Sequence, residues 1–481
     1  MKKSGKKQSK HALSKTPTGV RGLDELTGGG LPENRPTLVC GGAGCGKTLL
    51  GMEFIVRGIA DFKENGVFVS FEESVQDLVE NAASLGFDLN RLIREKKLFA
   101  DEIRHENSGS YEAGEYDLGG LFARIGYAVD SVGAKRIVLD GIDLIFSHFA
   151  AKGILRSELN RLFKWLKKKK LTAIVTCSSG DSERSLSRHG IEEYLSDCVI
   201  VLDQRINEQI ATRRLHIVKY RGSVHGTNEY PFLITGSGVS VLPVTSMELD
   251  HKVSSARLST GIDGLDEMLE GKGYFAGSSI LVSGAAGTGK SSFAAHFAKA
   301  LCDTNRRCVI FAFEESAGQI IRNMQSIGLD LAPYVEKELL EFHARRPTVF
   351  GLERHLLAIH EIIEEFGPEG VILDPVSNLA SAGITRDAKV MFIRLLDYLK
   401  SKSITSLCTD LTPGDGSPET TDVGISSLMD TWVMLRNREM EGGRYREVAI
   451  LKSRGMAHSN ETHMFQMTNH GIAVDRSVKR P

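Results

Sequence analysis

The sequence predicts an α/β protein built from tandem P-loop domains, each a mostly parallel twisted sheet flanked by helices. Three observations predict it. Gly41-Gly42-Ala43-Gly44-Cys45-Gly46-Lys47-Thr48 fits G-x-x-x-x-G-K-[ST], a loop whose backbone N–H groups cradle phosphates. Gly284-Ala285-Ala286-Gly287-Thr288-Gly289-Lys290-Ser291 repeats it 243 residues later. Apolar strand-like runs alternate with amphipathic helical patterns in both halves, the sign of parallel strands joined by right-handed crossovers.

Composition bounds what such a fold does. A chain of 481 residues is too long for one core. Its 60 Lys plus Arg balance 61 Asp plus Glu, a net charge of −1, which argues against broad electrostatic binding of nucleic acid. No apolar run reaches the length of a membrane span. The opening residues 1–13, rich in lysine, read as a disordered basic tail rather than a signal peptide. Seven scattered cysteines without a C-x-x-C fit a reducing cytoplasm and give no metal or disulfide signal. Cys45 reads as a spacer whose backbone matters more than its thiol.

The elements follow in matched order. Each unit opens alike, Thr18-Gly19-Val20-Arg21-Gly22-Leu23-Asp24-Glu25-Leu26 and Thr260-Gly261-Ile262-Asp263-Gly264-Leu265-Asp266-Glu267-Met268. An apolar strand leads into each phosphate loop, Thr37 to Cys40 and Ser279 to Val282, and a helical pattern follows, from Leu49 to Ala60 in the first copy. The next strands end in paired glutamates, Glu72-Glu73 and Glu314-Glu315, each followed by serine. Helices carrying Asn81 with Ser84, and Asn323 with Ser326, come next. Apolar strands then end in Asp140 and Asp374. A helix over Leu155 to Lys167 precedes a strand over Leu171 to Thr176, and the run Lys167 to Lys170 reads as a solvated helix end. Last comes a basic run, Lys219-Tyr220-Arg221-Gly222-Ser223-Val224-His225, echoed by Lys452-Ser453-Arg454-Gly455-Met456-Ala457-His458. The Gly-, Ser- and Pro-containing stretch from Gly236 to Ser255 marks the boundary, giving domains over 14–247 and 248–481.

Parallel sheets bind ligands at the carboxyl ends of their strands, where both loops, both glutamate pairs and both aspartates fall. ATP hydrolysis needs held phosphates, Mg²⁺ and a group that orients or deprotonates water. Lys47 and Lys290 suit the phosphates. Thr48 and Ser291 suit the metal, with Asp140 and Asp374 beside it as Walker B residues. Glu72 and Glu314 are the first candidates for the general base, with Glu73 and Glu315 alongside; pairing two carboxylates raises one pKa. The late basic run follows a strand pattern that puts two cations at i and i+2 on one face, suited to a γ-phosphate as an arginine finger is. Structural salt bridging is the alternative for the run.

The order of these motifs, the Phe-Glu-Glu-Ser segments, the Lys-x-Arg-Gly runs and Glu229-Tyr230-Pro231-Phe232 resemble the KaiC family of circadian-clock ATPases over about residues 14–475. The resemblance implies two RecA-like domains in a double-ring homohexamer with ATP and Mg²⁺ at the subunit interfaces. It implies that Lys219, Arg221 and His225, and Lys452, Arg454 and His458, contact the nucleotide of the adjacent subunit. It extends the nucleotide sites to Leu49, Ser84, Tyr220, Ser223, Ser292, Arg446 and Ser453, and counts Glu314 among the metal-side groups. It implies slow ATPase activity in the first domain, serine/threonine autokinase activity in the second, and signalling or clock partners in the cytoplasm. The family's phosphoacceptor pair resembles Ser426-Ser427. At the corresponding place the first copy reads Glu192-Glu193, two fixed negative charges where the second copy holds two hydroxyls. Clock-type members carry a longer tail beyond the stretch that here ends about ten residues after Gly471, so timing and the partner recruited there do not follow. A RecA-like recombinase would need basic loops facing a channel, for which Ser178 to His189, with two arginines, is the candidate. A nucleotide-gated scaffold with little turnover is the third reading.

Overall fold

The computed structural model describes residues 13–103, 118–146, 152–180, 195–207, 210–241, 254–346, 352–380, 385–412, 425–440 and 443–475. The chain divides into two compact units, Met1–Thr245 and Ser246–Pro481.

In the first unit the strands of the main sheet are β1 (Pro36–Gly41), β2 (Gly66–Ser70), β3 (Leu98–Glu102), β4 (Arg136–Asp140), β5 (Thr172–Ser178), β6 (Cys198–Asn207), β7 (Ile210–Tyr220), β8 (Glu229–Thr235) and β9 (Gly238–Val241). They lie in the order β3-β2-β4-β5-β1-β6-β7-β8-β9. Strands β3 to β6 in that order are parallel, and β7, β8 and β9 add on antiparallel. The second unit repeats this with β10 (Ser279–Gly284), β11 (Cys308–Ala312), β12 (Leu340–Ala344), β13 (Gly370–Asp374), β14 (Thr405–Leu411), β15 (Thr431–Met440), β16 (Gly443–Ser453), β17 (His463–Thr468) and β18 (Gly471–Asp475), in the order β12-β11-β13-β14-β10-β15-β16-β17-β18. The sheets are mostly parallel and helix-flanked, as the sequence predicts. After the sixth strand the alternation of strand and helix stops, because the last strands reverse through short turns that need no crossover helix.

The central strands are buried on both faces, so they read as continuous apolar runs. Along β1, Val39 packs with Leu50, Phe54 and Ile55 of the loop helix, while Leu38 and Cys40 face Leu159, Leu162 and Phe163 of the helix Lys152–Lys168. The loop helix runs Lys47–Phe62, two residues longer at each end than its sequence pattern. It starts at once because Gly46 takes a left-handed φ of 102°, and Gly289 does the same at 104° ahead of the helix Lys290–Asp303. Strand β5 starts one residue and ends two residues later than predicted, because its pairing with β1 continues to Ser178 opposite Gly41.

The glutamate pairs lie just past their strands. Strand β2 ends at Ser70, whose hydroxyl accepts from the backbone N–H of Glu72 and Glu73 at 3.3 and 2.9 Å and bends the chain. Ser74 and Ser316 then cap the helices Val75–Ala83 and Ala317–Gln325 through their side chains. Among the described residues no helix is long and apolar enough to cross a membrane.

Candidate nucleotide sites

Sheet geometry brings the early motifs of each unit together. Strands β1 and β4 are parallel and separated by β5, so the phosphate loop and Asp140 leave the sheet at one end. There Thr48 Oγ1 donates to Asp140 Oδ2 at 2.8 Å, and Thr176 Oγ1 donates to Asp140 Oδ1 at 2.6 Å. Thr409 donates to Asp374 in the same way, and Ser291 also bonds Asp374. A hydroxyl and a carboxylate so close fit Mg²⁺, which binds through one or two protein oxygens and the substrate phosphates. Thr48 with Asp140, and Ser291 with Asp374, would hold the ion, which would offset the negative charge of the nucleotide's phosphates. Burial pushes both aspartates above the usual carboxylate range, against the hydroxyl bonds.

The phosphate-loop lysines stand ready over their loops. Lys47 Nζ donates to the carbonyls of Gly41 and Gly42 at 2.8 and 2.9 Å, and Lys290 Nζ to Gly284 and Ala285 at the same distances. Cys45 is buried in the core, its thiol pushed up in pKa by that burial. Its counterpart Thr288 donates to Ala285 O at 2.9 Å.

The two glutamates of each pair do different things. Glu73 accepts from Asn81 Nδ2 at 3.2 Å and Glu315 from Asn323 Nδ2 at 3.2 Å, which ties both to the following helix. Glu72 instead lies over Gly141, where any Cβ would come within 2.7 Å of its Cγ. Burial raises the Glu72 pKa, with Asp140 and Asp143 adding to it; Glu73 contributes least. The rise expected from pairing therefore comes mainly from desolvation. Glu314 accepts from Asn378 Nδ2 at 2.9 Å.

The late basic runs lie elsewhere. Tyr220 pairs with Cys198 and Cys198 with Thr37, so the run leaves the sheet where β1 begins. Gly41 is four residues along that strand, about 13 Å away at ~3.3 Å per residue. In the second unit Ser453 pairs with Thr431 and Thr431 with Ile280, the same arrangement. The i, i+2 expectation needs correction: Lys219 and Lys452 lie in strands, but these end at Tyr220 and Ser453, so Arg221 and Arg454 sit in the turns beyond. Tyr220 is buried and donates to Gly30 O at 2.8 Å, which leaves only its backbone for a ligand. Ser223 Oγ accepts from Lys15 at 2.7 Å, and the His225 ring stacks on Tyr220. Ser84 and Ser326 close their helices, each donating back one turn at 2.7 Å.

Ser426 and Ser427 form a single 3-10 turn at that same far end. Lys452 Nζ lies 3.3 Å from the carbonyls of both serines, and Arg454 Nη2 donates to Ser427 O at 2.9 Å. The Ser427 side is exposed. Glu192-Glu193 and most of the Ser178–His189 stretch lie outside the described residues, as does the basic tail through residue 12. The lysine run is not simply solvated: Lys167 pairs with Asp197 at 2.5 Å and Lys169 with Asp130 at 3.2 Å.

Arg446 pairs with Asn437, two residues beyond the Leu435 that faces Gly284, so it stands at its own phosphate-loop end. Arg213 holds the matching place in the first unit, opposite Gln204 and two beyond Leu202, which faces Gly41. Sequence reasoning missed Arg213, although Lys219 and Lys452 already fixed the offset that maps Arg446 onto it.

Comparison with known proteins agrees with this geometry. The profile of the KaiC ATPase family matches residues 16–246 and 258–479. The chain is 54% identical over 463 residues to the circadian clock protein KaiC2 of Synechocystis sp. PCC 6803, covering 96% of this chain and 81% of that one. It is 36% identical over 470 residues to the circadian clock oscillator protein KaiC of Synechococcus elongatus, covering 97% and 90%. It is also 36% identical over 475 residues to the circadian clock protein KaiC3 of Synechocystis, covering 98% and 94%.

Proposed function

The chain belongs to the KaiC family of ATPases, and on that premise we propose that it binds ATP with Mg²⁺ in both units and assembles into a double-ring homohexamer with nucleotide between subunits. It hydrolyses ATP in the first unit and phosphorylates its own Ser426 and Ser427 in the second. It acts in the cytoplasm as a timing or signalling hub, a reading supported by the clock proteins it resembles.

One observation carries the assembly. In each unit the cations suited to a γ-phosphate stand at the end of the sheet opposite that unit's own phosphate loop. A neighbouring copy brings the two ends together, and a head-to-tail contact of this kind closes into a ring. Lys219, Arg221 and His225 then face the nucleotide in the first unit of the adjacent subunit, and Lys452, Arg454 and His458 the nucleotide in the second unit of an adjacent subunit. The serine turn shares that end with Lys452 and Arg454, so its hydroxyls meet the neighbour's γ-phosphate rather than their own. In the transfer a seryl oxygen forms the new bond to phosphorus as the β–γ bridging bond breaks. ADP leaves, and the hydroxyl proton passes to Glu314 of the nucleotide-bearing second unit. In the first unit Glu72 takes the proton of the attacking water.

Native mass spectrometry of the purified chain with ATP and Mg²⁺, followed by phosphosite mapping on the same sample, tests this. Hexamers phosphorylated at Ser426 and Ser427, with no phosphate in a Lys290→Ala control, are expected. Monomers alone would end the ring reading. Hexamers without phosphoserine, or with equal phosphate in the control, would leave an ATPase ring without a kinase.

A further inference from the structure

Both late-run arginines are held by an aspartate that none of the motifs includes, buried in the first unit and partly buried in the second. Arg221 N–H donates to Asp197 O at 2.8 Å, and Arg454 N–H donates to Asp430 O at 2.8 Å. Each arginine's Nη1 lies 3.9 Å from the Oδ1 of that same aspartate. The other carboxylate oxygen pairs with a lysine at the end of a long helix: Lys167 with Asp197 Oδ2 at 2.5 Å, Lys400 with Asp430 Oδ2 at 2.8 Å. Three contacts thus recur, atom for atom, in two units whose surrounding sequences differ. The remaining partners do differ: Arg35 lies 3.6 Å from Asp197, whereas Ser279 donates to Asp430 through N–H and hydroxyl, both at 2.9 Å.

The contact between each aspartate and its guanidinium is a long one. The lysine takes the close position on the carboxylate, and the arginine keeps a longer one with its side chain 53% exposed in the first unit and 56% in the second. A tight bidentate pair would occupy the guanidinium fork. One oxygen at 3.9 Å biases the direction of the guanidinium without this carboxylate closing on its fork, and in the second unit Nη2 also donates to Ser427 O at 2.9 Å, which sets the guanidinium beside the serine turn. The backbone bond fixes where the side chain starts.

We infer that Asp197 and Asp430 are positioning residues: each aims the arginine of its own unit at the nucleotide held by a neighbouring copy of this chain, with Lys167 or Lys400 fixing the carboxylate. The inference rests on the proposal that Arg221 and Arg454 act across the subunit boundary. Misplacing a participating group by about 1 Å can cost up to ~10²-fold in rate. Removing the aspartate's charge therefore lowers turnover through the arginine and has no effect once the arginine is gone.

The test is a double-mutant cycle on the full-length hexamer over a range of ATP concentrations, read as steady-state phosphate release for the first unit and as the initial rate of phosphate gain at Ser426 and Ser427 for the second. For the second unit the variants are Asp430→Asn, Arg454→Ala and both together, in a Glu72→Gln background. For the first unit they are Asp197→Asn, Arg221→Ala and both, in a Glu314→Gln background. Asparagine keeps the size and the carbonyl acceptor. Each aspartate change is expected to lower kcat about tenfold with KM little changed, and to add nothing to the arginine change. Native mass spectrometry confirms assembly, and the second cycle decides if one aspartate variant fails to fold. Full turnover in the asparagine variants, or a loss that multiplies with that of the arginine, overturns the inference and leaves the aspartates as packing groups. Full turnover in the arginine variants instead overturns the reading on which the inference rests.

Discussion

Glu72 and Glu73 are neighbours in sequence with separate duties in the fold. Glu73 is tied to Asn81, while Glu72 lies beside Gly141 and Asp140. A general base works from its ionised form, so the raised pKa of Glu72 moves the acid limb of hydrolysis above the ordinary glutamate value of 4.5. Activity is lost as pH falls through that raised value. In a Lys290→Ala background, Glu72→Gln is expected to slow phosphate release by about 10²–10⁴-fold and to remove the limb. Glu73→Gln should cost far less and keep the limb. A pH–rate profile of the three proteins checks both statements, and equal losses from the two glutamines would deny the division of labour.

At the scale of elements, one substitution between the copies gives the units different responses to acid. Glu53 of the first loop helix accepts from Val239 N–H of β9 at 2.6 Å. His296 holds the matching place in the second and accepts from Ile472 N–H of β18 through Nε2 at 3.1 Å, while Nδ1 is 3.1 Å from Gly261 O. The ring thus ties the helix to the last strand and to the opening turn in its neutral form. Burial lowers its pKa below the ordinary 6.5, the bond to Gly261 opposing this and Lys299 adding to it. The unfolded chain then binds the proton more readily than the folded one. Stability from this group is complete above about pH 6.5 and declines as pH falls through the folded-state pKa. Thermal unfolding of the second unit should therefore shift down between pH 7.5 and 5.5, and His296→Gln should flatten that dependence. Identical pH slopes for wild type and variant would show that His296 is not the responsible group.

At the scale of the whole molecule, the serine turn and the phosphate loop of the second unit lie at opposite ends of one sheet, so the proposed phosphorylation predicts transfer between copies. Hexamers mixed from two variants make this visible. Lys290→Ala subunits lack the loop lysine but keep both serines; subunits with Ser426→Ala and Ser427→Ala keep the loop but lack acceptors. Neither is expected to gain phosphate at this turn alone. Mixed hexamers should gain it on the Lys290→Ala chain, at Ser426 and Ser427. If mapping finds no phosphate there after mixing is confirmed by mass, transfer does not cross subunits.

The sequence by itself determined the duplication, the α/β class and the phosphate loops, because these reside in local patterns: glycine spacing, apolar runs and the order of motifs. It also placed Glu72, Asp140 and Thr48 near one another, since all lie at the carboxyl ends of parallel strands. Tertiary structure decided what depends on strand reversal. The late strands turn back antiparallel, and this carries Lys219, Arg221, Lys452 and Arg454 away from their own loops. It also brings Arg221 to Asp197 and Arg454 to Asp430, aspartates distant in sequence and ordinary in type. Spacing along a chain carries no sign of which end of a sheet a residue reaches; pairing register and direction supply it.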